Sequence, residues 1–283
     1  MVNHSLQLLN EQHIEQLIQL SQSVDWDYDR FEIETILSVG KVYGYIHESR
    51  KVIASAAIIP YAGELASIGM VIVHPNYRGL QLGKRVMEAC IQSVGDDKQI
   101  MLITTPDGKP MYEKLGFQVV SSVHKYLCDE FICERITFHE YEITNYEEKD
   151  FLHVRKLDEE ANGVDRSEFL KVRIKQAKQT VVVKNRSGTI VGFGLSIQTP
   201  ANLILGPIVA FCEEVAVLII YELSHRHNGR LRIDTPENKV ELTSFLQKKG
   251  FYKVAQPPIM VRNGSTLLQR NENLYGIAAQ IFG

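Results

Sequence analysis

Two pairs of short sequence matches divide this 283-residue chain into two similar halves. Ile-Thr-Thr-Pro at 103–106 is matched by Ile-Asp-Thr-Pro at 233–236, and Leu-Gly-Phe at 115–117 is matched by Lys-Gly-Phe at 249–251. The second copies follow the first by 130 and 134 residues, so the register drifts by only a few positions. Chance matching of short peptides is the alternative, but self-similarity at a fixed spacing is typical of duplicated folding units. We therefore predict two copies of one fold.

The first half alternates strands and helices. Short apolar runs indicate strands, and apolar residues recurring every three or four positions indicate helices. The patterns predict strands at 6–9, 42–47, 52–60, 68–73, 100–103 and 117–127, and helices at 11–24, around 31–37, at 79–94 and at 110–115. This order predicts an α/β unit that ends near residue 128.

The second half begins near residue 136 and repeats this order. The patterns predict strands at 137–143, 180–184, 190–197, 203–209, 231–233 and 251–261, and helices at 147–161, 165–178, 213–225 and 238–249. The tail from Thr266 to Gly283 is predicted to form one more helix.

Composition is that of an ordinary globular protein, with 45% hydrophobic and 23% charged residues. A net charge of −3 gives no electrostatic reason to expect nucleic acid or an anionic membrane surface as a partner. No apolar run reaches the roughly 18 residues of a membrane helix. The stretch Met1–Asn10 does not have the basic start and apolar core of a signal peptide. The expected location is the cytoplasm.

The cysteines and histidines predict no metal site. The four cysteines, at positions 90, 128, 133 and 212, form no C-x-x-C pair, and we interpret them as reduced thiols. The clustered histidines, His225 and His227, have no acidic or cysteine residue beside them that would complete a ligand set.

The stretch from Ile68 to Lys84 carries the clearest chemical signal. An apolar run ends at a turn around Pro75, and a loop containing Gly79 and Gly83 then opens a helix. Such a loop points several backbone N–H groups at one spot, where the start of the helix adds partial positive charge. Glycines also serve plain strand-to-helix turns, but this combination favours a pyrophosphate site.

This segment resembles the signature of the GNAT (Gcn5-related) N-acetyltransferase superfamily, where R/Q-x-x-G-x-G/A binds the pyrophosphate of acetyl-CoA. Arg78 and Gly83 fill the first and last positions, whereas Gln81 stands where the family usually has its middle glycine. The contact is made by backbone N–H groups, which glutamine also supplies if its φ and ψ are allowed. The resemblance implies acetyl-CoA as cosubstrate. The residues that it implies for cofactor binding are Val71, Ile72, Val73, Arg78, Gly79, Leu80, Gln81, Leu82, Gly83 and Lys84.

A second segment, Met111–Phe117, resembles the family's Y-x-x-x-G-F stretch, and the residue matching its general-acid tyrosine is Tyr112. By itself this tyrosine would be interpreted as an ordinary half-buried aromatic residue, but the two motifs together favour catalysis. The resemblance implies two tandem GNAT-like domains, each with a mixed, mostly antiparallel central sheet flanked by helices. Residues 1–128 would bind acetyl-CoA, and residues 136–283 would form a divergent copy without the pyrophosphate loop.

The resemblance also implies a mechanism. The amine attacks the acetyl thioester directly, which agrees with the lack of a nucleophile motif in this chain. A backbone N–H in the region Met70–Val73 would stabilise the oxyanion, and Tyr112 would hydrogen-bond the departing sulfur. A lysine-like amine has a pKa of about 10.4 and must first lose a proton.

Two further residues are candidates for the acceptor side. Glu64 precedes the central strand, where the family sometimes uses an acid as base; a solvated loop carboxylate is the alternative. Trp26 lies between the first two helices, where the family often forms the acceptor pocket; a core tryptophan is the alternative.

The second half has lost the loop. Counting from Gly69 to Ile103 gives 34 residues, but only 27 separate Gly206 from Ile233, and the following helix opens with two glutamates, at 213 and 214. Carboxylates at that position repel a pyrophosphate. We therefore expect one acetyl-CoA per chain.

The sequence predicts an N-acetyltransferase that moves an acetyl group from acetyl-CoA to a primary amine of a small molecule or protein. A non-catalytic CoA-binding sensor or scaffold is the alternative, and the retained Tyr112 favours the enzyme. No G-x-x-x-x-G-K-[S/T] loop supports a nucleotide-binding module. The acceptor amine and the oligomeric state stay open.

Overall fold

The structure is a computed structural model that describes residues 5–134, 138–268 and 271–283. Its first half contains β1 (Ser5–Leu9), α1 (Ile14–Gln22), α2 (Arg30–Val39), β2 (Lys41–Ile46), β3 (Val52–Pro60), β4 (Leu65–Val73), α3 (Leu82–Gln92), β5 (Gln99–Ile103), α4 (Lys109–Lys114) and β6 (Gln118–Cys128). Its second half contains β7 (Tyr141–Asn145), α5 (Phe151–Asn162), α6 (Ser167–Gln176), β8 (Gln179–Asn185), β9 (Ile190–Gln198), β10 (Leu203–Ala210), α7 (Glu213–Ser224), β11 (Leu231–Pro236), α8 (Val240–Lys248), β12 (Tyr252–Ala255), β13 (Pro258–Arg262) and β14 (Leu274–Gly276).

The predicted mixed, mostly antiparallel sheet flanked by helices is confirmed in both halves. The strand order β1-β2-β3-β4-β5 of the first half is repeated by β7-β8-β9-β10-β11 in the second. β4 pairs with β5 in parallel, and so does β10 with β11. The start of the predicted strand 137–143 lies outside the described residues at Thr137, and β7 begins at Tyr141.

Two predicted elements are wrong. The described part of the predicted helix 266–283 forms β14 and turns, because its apolar residues are buried between the two halves and β14 pairs with β10. Such tertiary contacts override helical propensity. The predicted strand 251–261 is divided into β12 and β13 at Pro257 and Pro258, since proline inside a sheet is confined to edges and strand starts.

The two halves exchange strands. β13, from the second half, lies between β5 and β6 of the first and pairs antiparallel with both. The last part of β6, from Val123 to Cys128, lies in turn between β11 and β12. The sheet is therefore continuous through β6, and each half completes its sheet with a strand from the other.

The core consists of three clusters of buried apolar side chains. One is shared by both halves and holds α1, α2, α5 and α6 against the sheet together with the chain's tail. Within it the rings of Phe169 and Phe282 have centroids 4.5 Å apart. A second cluster lies under α7 and α8, and a third lies under α3 and α4. The candidate site lies at β4, between the shared cluster and the cluster under α3.

Candidate active site

The parallel strands β4 and β5 separate part-way along their length. Their pairing covers only four residue pairs, from Leu65–Gln99 to Ile68–Leu102. β4 then continues to Val73 without β5 as its neighbour. The two strands therefore leave an opening between them at their carboxyl ends, with backbone groups of β4 along one side.

A bulge at Met70 stands at this opening. Met70 has a φ of +50°, and the register between β3 and β4 shifts between Ser55 and Ala57. The buried Ser55 hydroxyl donates to the Met70 carbonyl at 3.0 Å. Because a bulge turns backbone groups out of the regular ladder, this bond holds the region in one orientation.

The side chains of β4 beside the opening point to two different apolar clusters. Val71 and Val73 pack against the apolar cluster under α3 and α4. Met70 and Ile72 face the opposite way, into the cluster that carries α1 and α2. The strand therefore separates a side with the glycine loop from a side with the first two helices.

The loop before α3 exposes its backbone donors. Within the described residues, no hydrogen-bond acceptor is found for the N–H groups from Gly79 to Lys84. Gln81 has φ +59° and ψ +16°, the left-handed conformation that glycine adopts most easily. Gly83 is buried, and a Cβ atom there would lie 3.2 Å from a methyl group of Val73. The departure at Gln81 thus leaves the shape of a glycine loop in place.

The side chains around the loop add positive charge. Arg78 is exposed and forms no ion pair within the described part of the chain. Lys84, also exposed, lies 3.6 Å from Glu88 across one helical turn. Leu80 is exposed, and Leu82, the first residue of α3, is buried. Free N–H groups, a helix start and nearby cations together fit a pyrophosphate group.

Tyr112 lies on the same side, on α4. Its side chain is 7% exposed and packs edge-on against Phe117. Burial raises the pKa of its hydroxyl to about 12, although the hydroxyl of Thr104, just beyond β5, acts in the opposite direction. The phenol is therefore neutral at physiological pH and able to donate a proton.

A cavity of about 220 Å³ opens on the other side of β4. Its lining includes Gly69 and Met70 of β4, Ile103 of β5, and Trp26 from the segment between α1 and α2. The predicted location of this tryptophan beside the acceptor side thus coincides with a cavity. The remaining residues of its lining come from both halves of the chain: Asp25, Asp27, Tyr28, Asp29, Glu32, Lys125, Thr199, Ile204, Arg232, Ala279, Gln280 and Ile281.

The α1–α2 segment makes the cavity acidic on one wall. Asp29 caps α2 by accepting the N–H of Glu32 at 2.8 Å, and burial raises the pKa of its carboxyl. Burial and the nearby Glu32 also raise the pKa of Tyr28, whereas Arg232 and the Met70 backbone act in the opposite direction. Glu32 itself pairs with the buried guanidinium of Arg173.

A second wall, formed by side chains of β6 and β11, is basic. Arg232 of β11 binds Asp234 through two hydrogen bonds, of 3.0 and 2.6 Å. Burial opposes the charge on Arg232, but Asp234 raises its pKa overall. Lys125 of β6 stands opposite Asp234 in the strand register, and burial together with Arg232 lowers its pKa.

The tail also lines the cavity, through Ala279, Gln280 and Ile281. Atoms of Ile281 lie within 2.6 Å of the point that a Cβ on Gly69 would occupy. The buried Arg166 holds the tail by donating to the carbonyls of Phe282 and Gly283 at 3.1 and 3.2 Å. Tyr61 also donates to Phe282, at 2.6 Å. These hydrogen bonds fix the position of the tail in the lining of the cavity.

Glu64 is not brought to the cavity. It is exposed in the loop before β4, at the opposite end of that strand from Met70. Five or six strand residues span roughly 16–20 Å. The structure thus places the glycine loop and Tyr112 on one side of β4 and Trp26 at the cavity on the other, and it leaves Glu64 apart.

Sequence reasoning missed Lys125, Arg232 and the tail. The strand exchange brings them to the cavity, and pairing between distant strands leaves no local sequence pattern. One signal was present: Asp234 stands where the first half has Thr104, an acid placed in an otherwise apolar strand.

The corresponding opening of the second half is filled by its own chain. β14 pairs with β10, through Ile208–Gly276 and Val209–Leu274, and the N–H of Ile277 donates to the carbonyl of Asp234 on β11 at 2.9 Å. A Cβ on Gly206 would collide with the Ile277 carbonyl. The connection to α7 is only two residues long, and burial together with Glu241 raises the pKa of Glu213 at its start.

Neither a metal cluster nor a membrane-spanning helix is found in the part of the chain that the structure describes. No group of three or more His, Cys, Asp or Glu side chains there is arranged to hold an ion. None of the helices there is both long and apolar enough to cross a membrane.

Comparisons with known proteins agree with this architecture. Two family models, each described as an acetyltransferase (GNAT) domain, match residues 39–119 and 154–276. The chain is 36% identical over 278 residues to the uncharacterized N-acetyltransferase YitH of Bacillus subtilis, with 97% of both chains covered.

Solved structures share the fold. A putative acetyltransferase from Pyrococcus horikoshii has a TM-score of 0.83 at 21% identity, with 99% of this chain and 96% of that chain covered. A tandem GNAT protein from the clavulanic acid biosynthesis pathway has a TM-score of 0.66 at 11% identity, with 92% and 98% covered.

Fold and relatives together define a tandem acetyltransferase architecture. This chain belongs to the GNAT acetyltransferase family, and that membership supports acetyl transfer as its class of reaction.

Proposed function

We propose that this protein transfers an acetyl group from acetyl-CoA to the primary amine of a small molecule. The observation that carries the proposal is the opening between β4 and β5, which joins the glycine loop on one face of the sheet to the acidic cavity on the other. Donor and acceptor would meet at Met70. In this proposal residues 1–128 form the donor-binding domain, and residues 136–283 form a divergent copy that completes the acceptor cavity.

The loop before α3 would hold the pyrophosphate. Its free N–H groups fit an anion, and Arg78 and Lys84 supply charge around it. The β4 edge from Val71 to Val73 would bind the rest of the cofactor on the side away from β3, where β5 no longer pairs with it. Acetyl-CoA, when bound, supplies the activated acetyl thioester.

A backbone N–H group and the Tyr112 hydroxyl would stabilise the negative charges that develop on the acetyl oxygen and on the departing sulfur. A backbone N–H at the Met70 bulge would donate to the oxyanion, and preorganised donors of this kind contribute strongly to catalysis. Tyr112, neutral because burial raises its pKa to about 12, would donate its proton to the departing sulfur.

Asp29 would accept the proton of the attacking amine. It lines the cavity, and the raised pKa of its carboxyl moves it toward the range that suits a general base. Glu64 is not part of this proposal because it lies at the far end of β4.

The test is a thiol-release assay with acetyl-CoA and a panel of small primary amines. Release that depends on the amine, with an N-acetylated product seen by mass spectrometry, is the expected result. Tight binding of acetyl-CoA without release for any amine would instead favour a non-catalytic CoA-binding sensor.

A further inference from the structure

We infer that the acceptor is a small amine that also carries a carboxylate, as an amino acid does, and that Lys125 binds this carboxylate. The inference rests on the proposed function and names the substrate class of the same site. It follows from the size of the cavity, from the charges on its two walls and from Lys125, which forms no ion pair within the described residues.

The size of the cavity favours a small molecule. Its volume of about 220 Å³ lies below the roughly 300–1,000 Å³ of pockets that bind drug-sized ligands. The tail narrows it at Ile281, and Arg166 and Tyr61 anchor the tail from behind.

The two walls carry opposite charge. On the first wall, Asp25 and Asp27 form no ion pair within the described residues, and the ring of Trp26 stands between them in sequence. An ammonium group is attracted by such carboxylates and by the face of an indole. This wall also carries Asp29, the proposed base, so the amine would enter here.

On the second wall, the charges of Arg232 and Asp234 are satisfied by each other, with two hydrogen bonds between them. Lys125 is left over. It lines the cavity on β6 and forms no ion pair with any carboxylate in the described ranges. Burial and the neighbouring Arg232 lower its pKa, whereas Asp234 and Asp27 act in the opposite direction. Neither carboxylate forms an ion pair with Lys125, so among the described residues its ammonium group has no counter-ion within ion-pair distance.

A carboxylate supplied by the substrate would provide that counter-ion. It would form a charge-assisted hydrogen bond with the Lys125 ammonium group, which is stronger than a neutral one. The amine of the same molecule would then lie toward the acidic wall and the Met70 bulge. A plain amine would leave Lys125 unpaired.

The experiment measures kcat/KM for matched pairs: alanine against ethylamine, serine against ethanolamine, and lysine against cadaverine. Each pair differs only in the carboxylate. With the wild-type full-length chain we expect the amino acid to exceed its partner by about tenfold or more, the scale of a charged hydrogen bond. In Lys125→Gln the ratio should fall to about one, mainly through a higher KM for the amino acids.

Two further variants make the result specific. Lys125→Arg keeps the charge and should keep most of the preference. Lys156→Gln removes a lysine that is 77% exposed on α5 and should leave every ratio unchanged. Circular dichroism shows whether each variant is folded.

The possible failures are distinguishable. Acetylation of amines without any preference for the carboxylate, or a preference that survives in Lys125→Gln, overturns this inference and leaves the proposed function intact. Absence of release with every amine overturns the proposed function, and this inference with it.

Discussion

Ile281 of the tail packs directly on Gly69 of β4, with its Cβ 2.6 Å from the position where a side chain on Gly69 would begin. This contact joins the end of the second half to the strand that carries the bulge. The φ of Gly69 is not in the left-handed region, so backbone conformation does not require glycine there. The close contact with Ile281 does.

Gly69→Ala should lower the free energy of unfolding by about 1–3 kcal/mol, the scale of an overpacked core. The new methyl group forces Ile281 and the tail away from β4. Urea unfolding measures the effect. Gly276→Ala is the matched control, because its nearest contact would be an ordinary 3.4 Å. Equal stability of Gly69→Ala and wild type would contradict the packing described for the tail.

Tyr112→Phe should lower kcat by about one to three decades, because the departing sulfur loses its proton donor. The affinity for acetyl-CoA should change little, since the ring and its contact with Phe117 remain. Tyr126→Phe is the control and should keep the wild-type kcat. Tyr126 is also buried, and its hydroxyl lies 3.2 Å from the hydroxyl of Thr243 in the second half. Wild-type turnover in Tyr112→Phe would remove this residue from the mechanism.

Acetyl-CoA should bind once per chain, at the loop before α3. Gly83→Asp places a carboxylate in this loop and crowds Val73, so calorimetry should show binding abolished and no second equivalent. Gly188→Asp, in an exposed turn with no atoms near the new Cβ, controls for an added charge. If Gly83→Asp still bound acetyl-CoA, a site would have to lie elsewhere in the chain. That result would contradict the expectation that β14 leaves no site in the second half.

Asp29→Asn should lower kcat by about a hundredfold without loss of stability, because asparagine caps a helix about as well as aspartate. As the pH falls through the pKa of Asp29, its carboxylate is protonated and activity is lost. Because this pKa is raised, the loss occurs at a higher pH than for an ordinary aspartate. The pH–rate profile of the variant should lack this limb. Asp165→Asn, which affects the carboxylate that accepts the Ser167 N–H at 2.8 Å, is the control outside the cavity. An unaltered profile in Asp29→Asn would exclude Asp29 as the base.

Stability should fall at alkaline pH through Tyr61. Burial raises the pKa of its hydroxyl to about 12, although Arg166 acts in the opposite direction, and an unfolded tyrosine has a pKa of about 10. The contribution of the neutral phenol is therefore complete below pH 10 and is lost as pH rises from 10 through 12. The slope is at most about 1.4 kcal/mol per pH unit for one group. Tyr61→Phe, compared with wild type by urea unfolding at pH 9, 10 and 11, should lose less stability over this range. Parallel curves would contradict the shift.

Much of this protein can be predicted from the local sequence. Apolar spacing determines the order of elements in both halves, because one buried face forces the period of a helix or strand. The run from Ile68 to Gly83 predicts a strand, a turn and a helix start, and these elements are found where expected. Gln81 takes the left-handed backbone shape that the motif requires although a non-glycine residue seldom adopts it, so this residue alone does not determine the loop's conformation.

Other features were decided only by the tertiary structure. The exchange of β6 and β13 depends on pairing between residues more than 100 positions apart, such as Ser121 and Ile259, which no periodicity encodes. The apolar residues of the tail are partly spaced as in a helix, yet their burial between the two halves makes the tail form β14 and pack Ile281 against Gly69. Lys125 and Arg232 read as ordinary strand residues until the sheet brings them to one cavity. Local patterns thus determined the elements, and long-range packing decided which side chains face the acceptor.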